Sequence, residues 1–303
     1  MKASLIDIGG TSIKYAWGDG EKLYDFGEIP TPKQDIQALM NSLYSILDML
    51  HTAEDKQCIG ISATGLVDPQ KGMVRNRTNT MPGYDNYPIR DLIAAKYGLP
   101  VCMHNDSNCA ALGEAKYGAG RNLKDFICLT FGTGVGAGIF LNGDIYEGSR
   151  FFAGEVGHMV THAGGRDCRC GNKGCYERYA SVTALIDSVE DKISERLNGR
   201  EIFSRLQNGD KKIYFLIDEW IDEIVIGIYT LVRIFDFRDI VLGGGIMQEQ
   251  YLIDRIQDKL SYCLSSYSIV DCFKDTKVHK AQLGNKAGLY GAMAYCVFKL
   301  THL

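Results

Sequence analysis

The sequence predicts an α/β protein of two related domains, each a mixed sheet flanked by helices, with a ligand cleft between them. Three observations lead there. The chain has 303 residues, long for one hydrophobic core and comfortable for two. Apolar strands alternate with amphipathic helices along most of it. And the pattern restarts part-way: "SLIDIGGTSIKYAWGDGEKLYDFG" from Ser4 is laid down again as "FICLTFGTGVGAGIFLNGDIYEG" from Phe126. Strand, glycine turn, second strand and Asx-Gly turn correspond, with Gly9 opposite Gly132 and Asp19-Gly20 opposite Asn142-Gly143. An internal repeat of this kind implies two copies of one supersecondary unit.

In chain order, the first strand is expected over Ala3–Ile8, entering the turn "GGT". The next stretch alternates like a hairpin, with Asp19-Gly20 as its turn. In "DIQALMNSLYSILDMLHTA" the apolar residues Ile36, Leu39, Met40, Leu43, Ile46, Leu47 and Leu50 recur at helical spacing. A strand fits "CIGISATGLVDP", a helix "IRDLIAAKYG", a strand "PVCMHND" and a helix "SNCAALGEAKYG". After the repeat, helices are expected around 181–195 and 211–234, then the strand "DIVLGGGI", a helix from about Glu249 to Tyr267, and the apolar helix "GLYGAMAYCVFKL". The glycines of "KYGAGRN" suit a hinge, and the last helix suits a crossing back. The expected division is therefore residues 1–118 plus 289–303 in an N-terminal domain and 119–288, with the cysteine-rich loop, in a C-terminal one.

Composition excludes several classes of function. The formal net charge is -4, which supplies no nucleic-acid footprint or basic membrane face. The N-terminal apolar run is broken early by glycine and charge, so neither a signal peptide nor a membrane span is expected. A cytoplasmic location with reduced thiols follows as an expectation. Of ten cysteines, the seven outside one cluster lie scattered, mostly in apolar segments, and read as small buried hydrophobes.

Two glycine turns follow apolar strands, "DIGGTSIK" and "FGTGVGAG". Glycine admits a ligand close to the backbone, and successive N–H groups there form a concave site for phosphate oxygens. Thr11 and Thr133 add hydroxyl donors, and Asp7 at a strand end suits Mg²⁺ held through water. Neither turn matches the P-loop or dinucleotide pattern. The third glycine run, "LGGGI", suits a flat adenine or ribose against the backbone. "HNDSN" marks a strand-to-helix junction, where ligands of open α/β folds gather. Asp106 there suits a general base, with Asn105 orienting the hydroxyl it deprotonates. Local chemistry equally allows Asp106 or Ser107 to cap a helix beginning at Asn108.

"GHMVTHAGGRDCRCGNKGCYE" places His158, Cys168, Cys170 and Cys175 at H-x9-C-x-C-x4-C spacing. Three thiolates and an imidazole suit tetrahedral Zn²⁺ of the structural kind. Reduced free thiols and disulfides are the alternatives, and spacing alone leaves His162 a rival to His158. Glu155 and Glu177 flank the loop, suited to sugar hydroxyls if the loop fixes them and otherwise ordinary surface glutamates.

In this order the motifs resemble the ROK family of repressors and kinases, within the actin/hexokinase-like ATPase superfamily, over nearly the whole chain. The resemblance rests on "DIGGTSIK", "GLVDPQKGMV", "NTMPGY", "HNDSNCAALGEAKYGAG", "LTFGTGVGAGIFLNG", "AGEVGHM", "CRCGNKGCYERYAS" and "IVLGGGI". It implies two RNase H-like domains of actin-like ATPase type that bind ATP with Mg²⁺ and a small sugar. Asp106 is then the implied base, and Asn79, Asn105, Glu155, His158 and Glu177 the implied sugar ligands. Asp7, Gly9, Gly10, Thr11, Lys14, Gly132, Thr133, Gly134, Gly244 and Gly245 are the implied ATP site. His158, bound to zinc through one ring nitrogen and near a sugar hydroxyl through the other, is preferred to His162. The implied activity is phosphorylation of a hexose at O6, with glucose first and N-acetylmannosamine, fructose, allose and β-glucosides as alternative acceptors. A sugar-responsive regulator is the non-enzymatic alternative; the first phosphate motif begins at Asp7, leaving no segment for a DNA-binding helix-turn-helix. A homodimer is implied by family habit. The chain departs from the family where it has Thr64-Gly65 in place of Pro-Gly, and where "GSRFFAGE" lacks a His-Gly pair and adds Phe151 and Phe152.

Overall fold

The computed structural model describes residues 1–50, 56–75, 81–266 and 273–301. Its first sheet begins with β1 (Ala3–Ile8), every residue of which is buried. β2 (Ser12–Gly18) returns antiparallel to it, and β3 (Leu23–Pro30) pairs antiparallel with β2 at the edge. The hairpin turn at Asp19-Gly20 is closed by Asp19 Oδ1, which accepts the N–H groups of Glu21 and Lys22 at 2.8 Å each. α1 (Ile36–Leu50) buries Leu39, Met40, Leu43, Ile46, Leu47 and Leu50, the stripe that its sequence period demands. β4 (Cys58–Ala63) joins β1 in parallel, and its residues are likewise all buried.

Two short strands, β5 (Val67–Asp68) and β6 (Met73–Val74), form a small hairpin before α2 (Ile89–Tyr97). β7 (Val101–Asn105) then pairs parallel with β4 and runs directly into α3 (Asp106–Tyr117). The first sheet has the order β3-β2-β1-β4-β7.

The second sheet repeats that arrangement. β8 (Phe126–Phe131), β9 (Val135–Leu141) and β10 (Asp144–Ile145) take the places of β1, β2 and β3. β11 (Asp239–Gly243) and β12 (Lys277–Lys280) take those of β4 and β7, giving the order β10-β9-β8-β11-β12. The internal repeat in the sequence is thus a repeat of sheet topology, antiparallel on one side of the central strand and parallel on the other.

Between β10 and β11 lie α4 (Glu177–Ala180), α5 (Val182–Ile193), α6 (Gly199–Gln207) and α7 (Lys211–Phe235). α8 (Gln250–Ser266) follows β11, and α9 (Ala287–Thr301) ends the described chain. The structure adds the β5–β6 hairpin, α4, α6 and β12 to the elements expected from sequence. All are short, so each offers too few apolar positions for a period to be read. α6 nonetheless carries a full capping box: Asn198 accepts from the helix N–H groups while Glu201 reaches back to the Asn198 N–H.

The chain forms two compact units: Met1–Asn122, Gly138–Gly154 and Asn285–Leu303 in one, Leu123–Ala137 and Glu155–Gly284 in the other. In the first, one apolar cluster gathers α1 and α2 on one face of the sheet around Ile6, Ile8, Ile59 and Ile61. On the other face Leu5, Ala16, Cys109, Leu289, Met293 and Cys296 seat α3 and α9. In the second unit α7 buries eleven of its residues, among them Trp220, whose indole N–H donates to the carbonyls of Ala180 and Ser181 at 3.0 Å. None of the described helices is long and apolar enough to cross a membrane.

Candidate functional site

Asp7 stands one residue before the end of β1, where the chain turns through Gly9 and Gly10 into β2. Gly9 N–H donates to the Ser12 carbonyl at 3.0 Å and Thr31 Oγ1 to the Gly9 carbonyl at 2.7 Å, so the turn is held from behind. Gly10 and Thr11 remain exposed, and the Thr11 carbonyl accepts the Thr31 N–H at 2.9 Å, which ties the turn to the end of β3. The Asp7 carboxylate accepts the Ser62 hydroxyl at 2.6 Å and lies 3.7 Å from Lys14 Nζ. Burial raises its carboxyl above the usual range, and the Ser62 hydrogen bond and the Lys14 charge only partly offset this. A carboxylate beside a glycine turn is the chemistry that holds a hydrated divalent cation.

Asn105 and Asp106 sit where β7 becomes α3. Asn105, at φ −63° and ψ 146°, is the residue that caps the helix: its Oδ1 accepts the N–H groups of Ser107 and Asn108 at 2.9 and 3.1 Å. The helix therefore begins at Asp106 rather than Asn108, and the capping alternative for Asp106 or Ser107 gives way to Asn105. The cap must keep extended backbone, and Asn105 is the last residue that does. Its amide donates to the Gly65 carbonyl at 2.9 Å and to Asp106 Oδ1 at 3.0 Å. Asp106 Oδ1 also accepts the Ser107 N–H at 2.8 Å. One carboxylate oxygen of Asp106 is thus clamped by two donors, which fixes the plane of the group.

The cysteine-rich segment runs from a 3₁₀ turn, Val156–His158, to the start of α4. Its folded form needs glycine at Gly174, where φ is +77° and a Cβ would stand 1.6 Å from the His162 carbonyl oxygen. The loop brings His158, Cys168, Cys170 and Cys175 together, with one ligand atom from each within 4.8 Å of the others. Cys170 Sγ lies 3.6 Å from Cys175 Sγ, and Cys168 Sγ lies 3.7 Å from His158 Nδ1. Donors arranged tetrahedrally at ~2.0–2.3 Å from Zn²⁺ stand ~3.5–3.8 Å apart, so the spacing fits such an ion. His162 is engaged elsewhere. It stacks on Tyr179 with ring centroids 3.8 Å apart, and its Nε2 lies 3.5 Å from Glu223.

Both glutamates of the segment lie against this cluster. Glu177 Oε1 is 3.1 Å from Cys168 Sγ and 3.8 Å from His158 Nδ1, and Glu155 Oε2 is 3.9 Å from His158 Nε2. Desolvation raises the Glu155 carboxyl, with the His158 charge opposing and Glu177 adding. Glu177 also reaches the second glycine turn: a Cβ on Gly134 would come within 2.5 Å of its Oε2. In that turn Gly132 N–H donates to the Gly134 carbonyl at 3.0 Å, and Gly132 and Thr133 are exposed.

A cavity of about 640 Å³ opens in the same unit between Gly132-Thr133 and Gly245-Ile246. The turn into the third glycine run takes Gly244 at φ +106°, where a Cβ would meet the Phe131 carbonyl oxygen at 2.1 Å. Thr183, Ile186, Asn198, Arg200, Phe203 and Glu249 are among the other lining residues. Sequence reasoning had assigned none of these six. They come from α5, the start of α6 and the residue before α8, and only the Asn198…Glu201 capping pattern marks their neighbourhood in the sequence. Asn79 lies outside the described residues.

The ROK family model matches residues 4–297. A β-glucoside kinase of Listeria monocytogenes is 34% identical, over 97% of this chain and 96% of its own. A glucokinase of Halalkalibacterium halodurans is 31% identical, over 94% and 92%. Among solved structures, a ROK family glucokinase from Streptomyces griseus in complex with glucose and AMPPNP superposes with a TM-score of 0.85 at 28% identity, covering 97% of this chain and 98% of that one. The chain belongs to the ROK family.

Proposed function

We propose that this chain, an ATP-dependent sugar kinase, transfers the γ-phosphoryl group of ATP to the O6 hydroxyl of a hexose or hexose derivative, with Asp106 as the general base. The observation that carries the reading is the clamp on Asp106: Asn105 Nδ2 and the Ser107 N–H hold one oxygen and leave the carboxylate in a fixed plane at a strand–helix junction. A base so oriented takes the hydroxyl proton as the oxygen attacks phosphorus. The other side-chain oxygen of the junction, Asn105 Oδ1, is spent on the helix cap. Asn105 therefore serves the acceptor chiefly by orienting Asp106.

The cavity beside Gly132-Thr133 and Gly245 has a volume suited to the adenosine moiety of ATP, and the glycine turns at Gly10-Thr11 and Gly132–Gly134 are each of the kind whose backbone amides bind phosphate oxygens. Lys14 neutralises Asp7 in the resting site. Mg²⁺ would be held by Asp7 through water, where it lowers the charge on the phosphates. Glu155, His158 and Glu177 hold the sugar hydroxyls, the role that the family resemblance also implies for Asn79. Zn²⁺ would be held by His158 Nδ1, Cys168, Cys170 and Cys175, as a closed structural site that does no chemistry and leaves His158 Nε2 for the acceptor.

Glucose is the first acceptor on this reading. A β-glucoside is the second, favoured by two half-buried aromatics, Phe151 and Phe152, in the segment leading to Glu155. Phe151 takes φ +65°, strain that a side chain of this size retains where its position matters. The reading also includes a cytoplasmic enzyme with reduced thiols, working as a homodimer. Coupled ATP consumption with glucose, N-acetylmannosamine, fructose, allose and cellobiose tests it. Turnover on glucose or the β-glucoside is expected, and ATP hydrolysis that no sugar stimulates would reject the kinase reading.

A further inference from the structure

Immediately before Asn105-Asp106 stands His104, 1% exposed and unused by the reaction as proposed. Three contacts fix its ring. Nδ1 accepts the Asn105 N–H at 2.8 Å, Nε2 lies 2.8 Å from Glu147 Oε1, and Tyr295 of α9 meets the ring edge-on with centroids 4.7 Å apart. A backbone N–H can only donate, so Nδ1 is bare, and the proton of the neutral ring sits on Nε2, where Glu147 accepts it. That hydrogen bond holds the Glu147 carboxyl below its ordinary range, against the effect of burial and with help from the Lys299 charge. Glu147 is itself anchored, its carbonyl accepting the Ala153 N–H at 3.1 Å across the segment that carries Phe151 and Phe152.

We propose that Glu147 and His104 are a positioning pair for Asp106. The carboxylate selects the Nε2–H tautomer, and the bare Nδ1 then holds the Asn105 N–H, fixing the turn from which Asn105 clamps Asp106. This rests on the reading of Asp106 as the base. Without an acceptor at position 147 the ring is free to carry its proton on Nδ1. Two donors then face each other at Asn105, and the turn must shift. A displacement of about 1 Å at a catalytic group costs on the order of 100-fold in rate.

The test uses the intact enzyme and compares acceptors that differ only in hydrogen bonding. Glu147→Leu should lose roughly 10- to 100-fold in kcat with KM for ATP unchanged. Glu147→Gln, whose amide oxygen still accepts from Nε2–H, should stay within about threefold of wild type. His104→Asn presents an oxygen where Nδ1 stood and needs no partner at 147, so adding it to Glu147→Leu should restore most of the lost kcat. Should the leucine variant not fold, Glu147→Met, unbranched and close in shape to glutamate, gives the same reading. Equal losses in Glu147→Gln and Glu147→Leu that follow their melting temperatures would overturn the pair as a positioning device. So would an inactive Asp106→Asn beside a fully active Glu147→Leu. Full turnover in Asp106→Asn would instead remove the base reading, and this inference with it.

Discussion

Replacing Cys170 by serine isolates the role of the cysteine-rich loop. Cys170 is exposed, so the change leaves no cavity and acts through the donor set alone. Between Thr161 and Lys173 only Cys168 is buried, so apolar burial contributes little to holding the segment. Its backbone bonds are local ones: Thr161 and His162 N–H to the Gly174 carbonyl, Gly165 N–H to His162, Cys168 N–H to Asn172, Gly171 N–H to Cys168 and Gly174 N–H to Arg166. A metal cross-link from His158 to Cys175 closes a loop of about 18 residues, and the chain-entropy relation for a cross-link of that length gives about 3 kcal/mol. For a unit of this size that corresponds to roughly 6–12 °C in Tm. Purified wild-type protein should carry one Zn²⁺ per chain by elemental analysis, and Cys170→Ser distinctly less. The variant should melt lower by that interval, and a chelator should bring wild type down to it. KM for the sugar should rise about tenfold as His158, Glu155 and Glu177 lose their frame. Wild-type protein free of zinc, or a variant with unchanged Tm and zinc content, would refute the reasoning.

Two further substitutions probe the ATP side. Burial raises the Asp7 carboxyl, so the folded chain holds that proton more tightly than the unfolded one, and ionisation at neutral pH costs stability. The associated stability is present below the usual carboxylate pKa and lost as pH rises through the folded value. Asp7→Asn should therefore melt no lower, and by this sign higher, than wild type near pH 7.5, the difference closing toward pH 4, while activity falls by about 100-fold or more. A lower Tm at pH 7.5 would show that the Lys14 and Ser62 contacts outweigh burial. Gly244→Ala forces a side chain into φ +106° and against the Phe131 carbonyl, strain of about 1–3 kcal/mol at the turn lining the cavity. KM for ATP should rise about tenfold with KM for sugar unchanged; equal effects on both would argue against the cavity as the nucleotide site.

Much of the fold was legible because its strands and helices are strongly patterned. β1 and β4 are mostly apolar, with Ser4, Asp7 and Ser62 as buried polar exceptions, and the stripe of α1 is a clean helical period, so burial largely follows the apolar pattern. The repeat was legible because each glycine turn and Asx-Gly turn needs a particular residue type. The rest depended on partners distant in sequence. Spacing alone does not separate His158 from His162, and the stack on Tyr179, the contact with Glu223 and the Thr161 hydroxyl at 3.1 Å draw His162 away. The cap at α3 fell to Asn105 because cap geometry depends on where extended backbone ends, which "HNDSN" does not state. The cavity lining beyond the glycine turns is assembled from α5, α6 and the approach to α8, and no local pattern joins those segments. His104 and Glu147 are 43 positions apart, and nothing in either neighbourhood announces the other.

The central claim is that the clamped carboxylate of Asp106 takes the proton from the acceptor hydroxyl. The most direct test sets the steady-state kcat of Asp106→Asn beside its sugar affinity by calorimetry. Asparagine keeps the shape and the Ser107 N–H contact but cannot accept the proton at neutral pH. The account predicts kcat lower by about 1,000-fold with sugar Kd within a few-fold of wild type. Turnover within about tenfold of wild type, with the same acceptor bound, would contradict it.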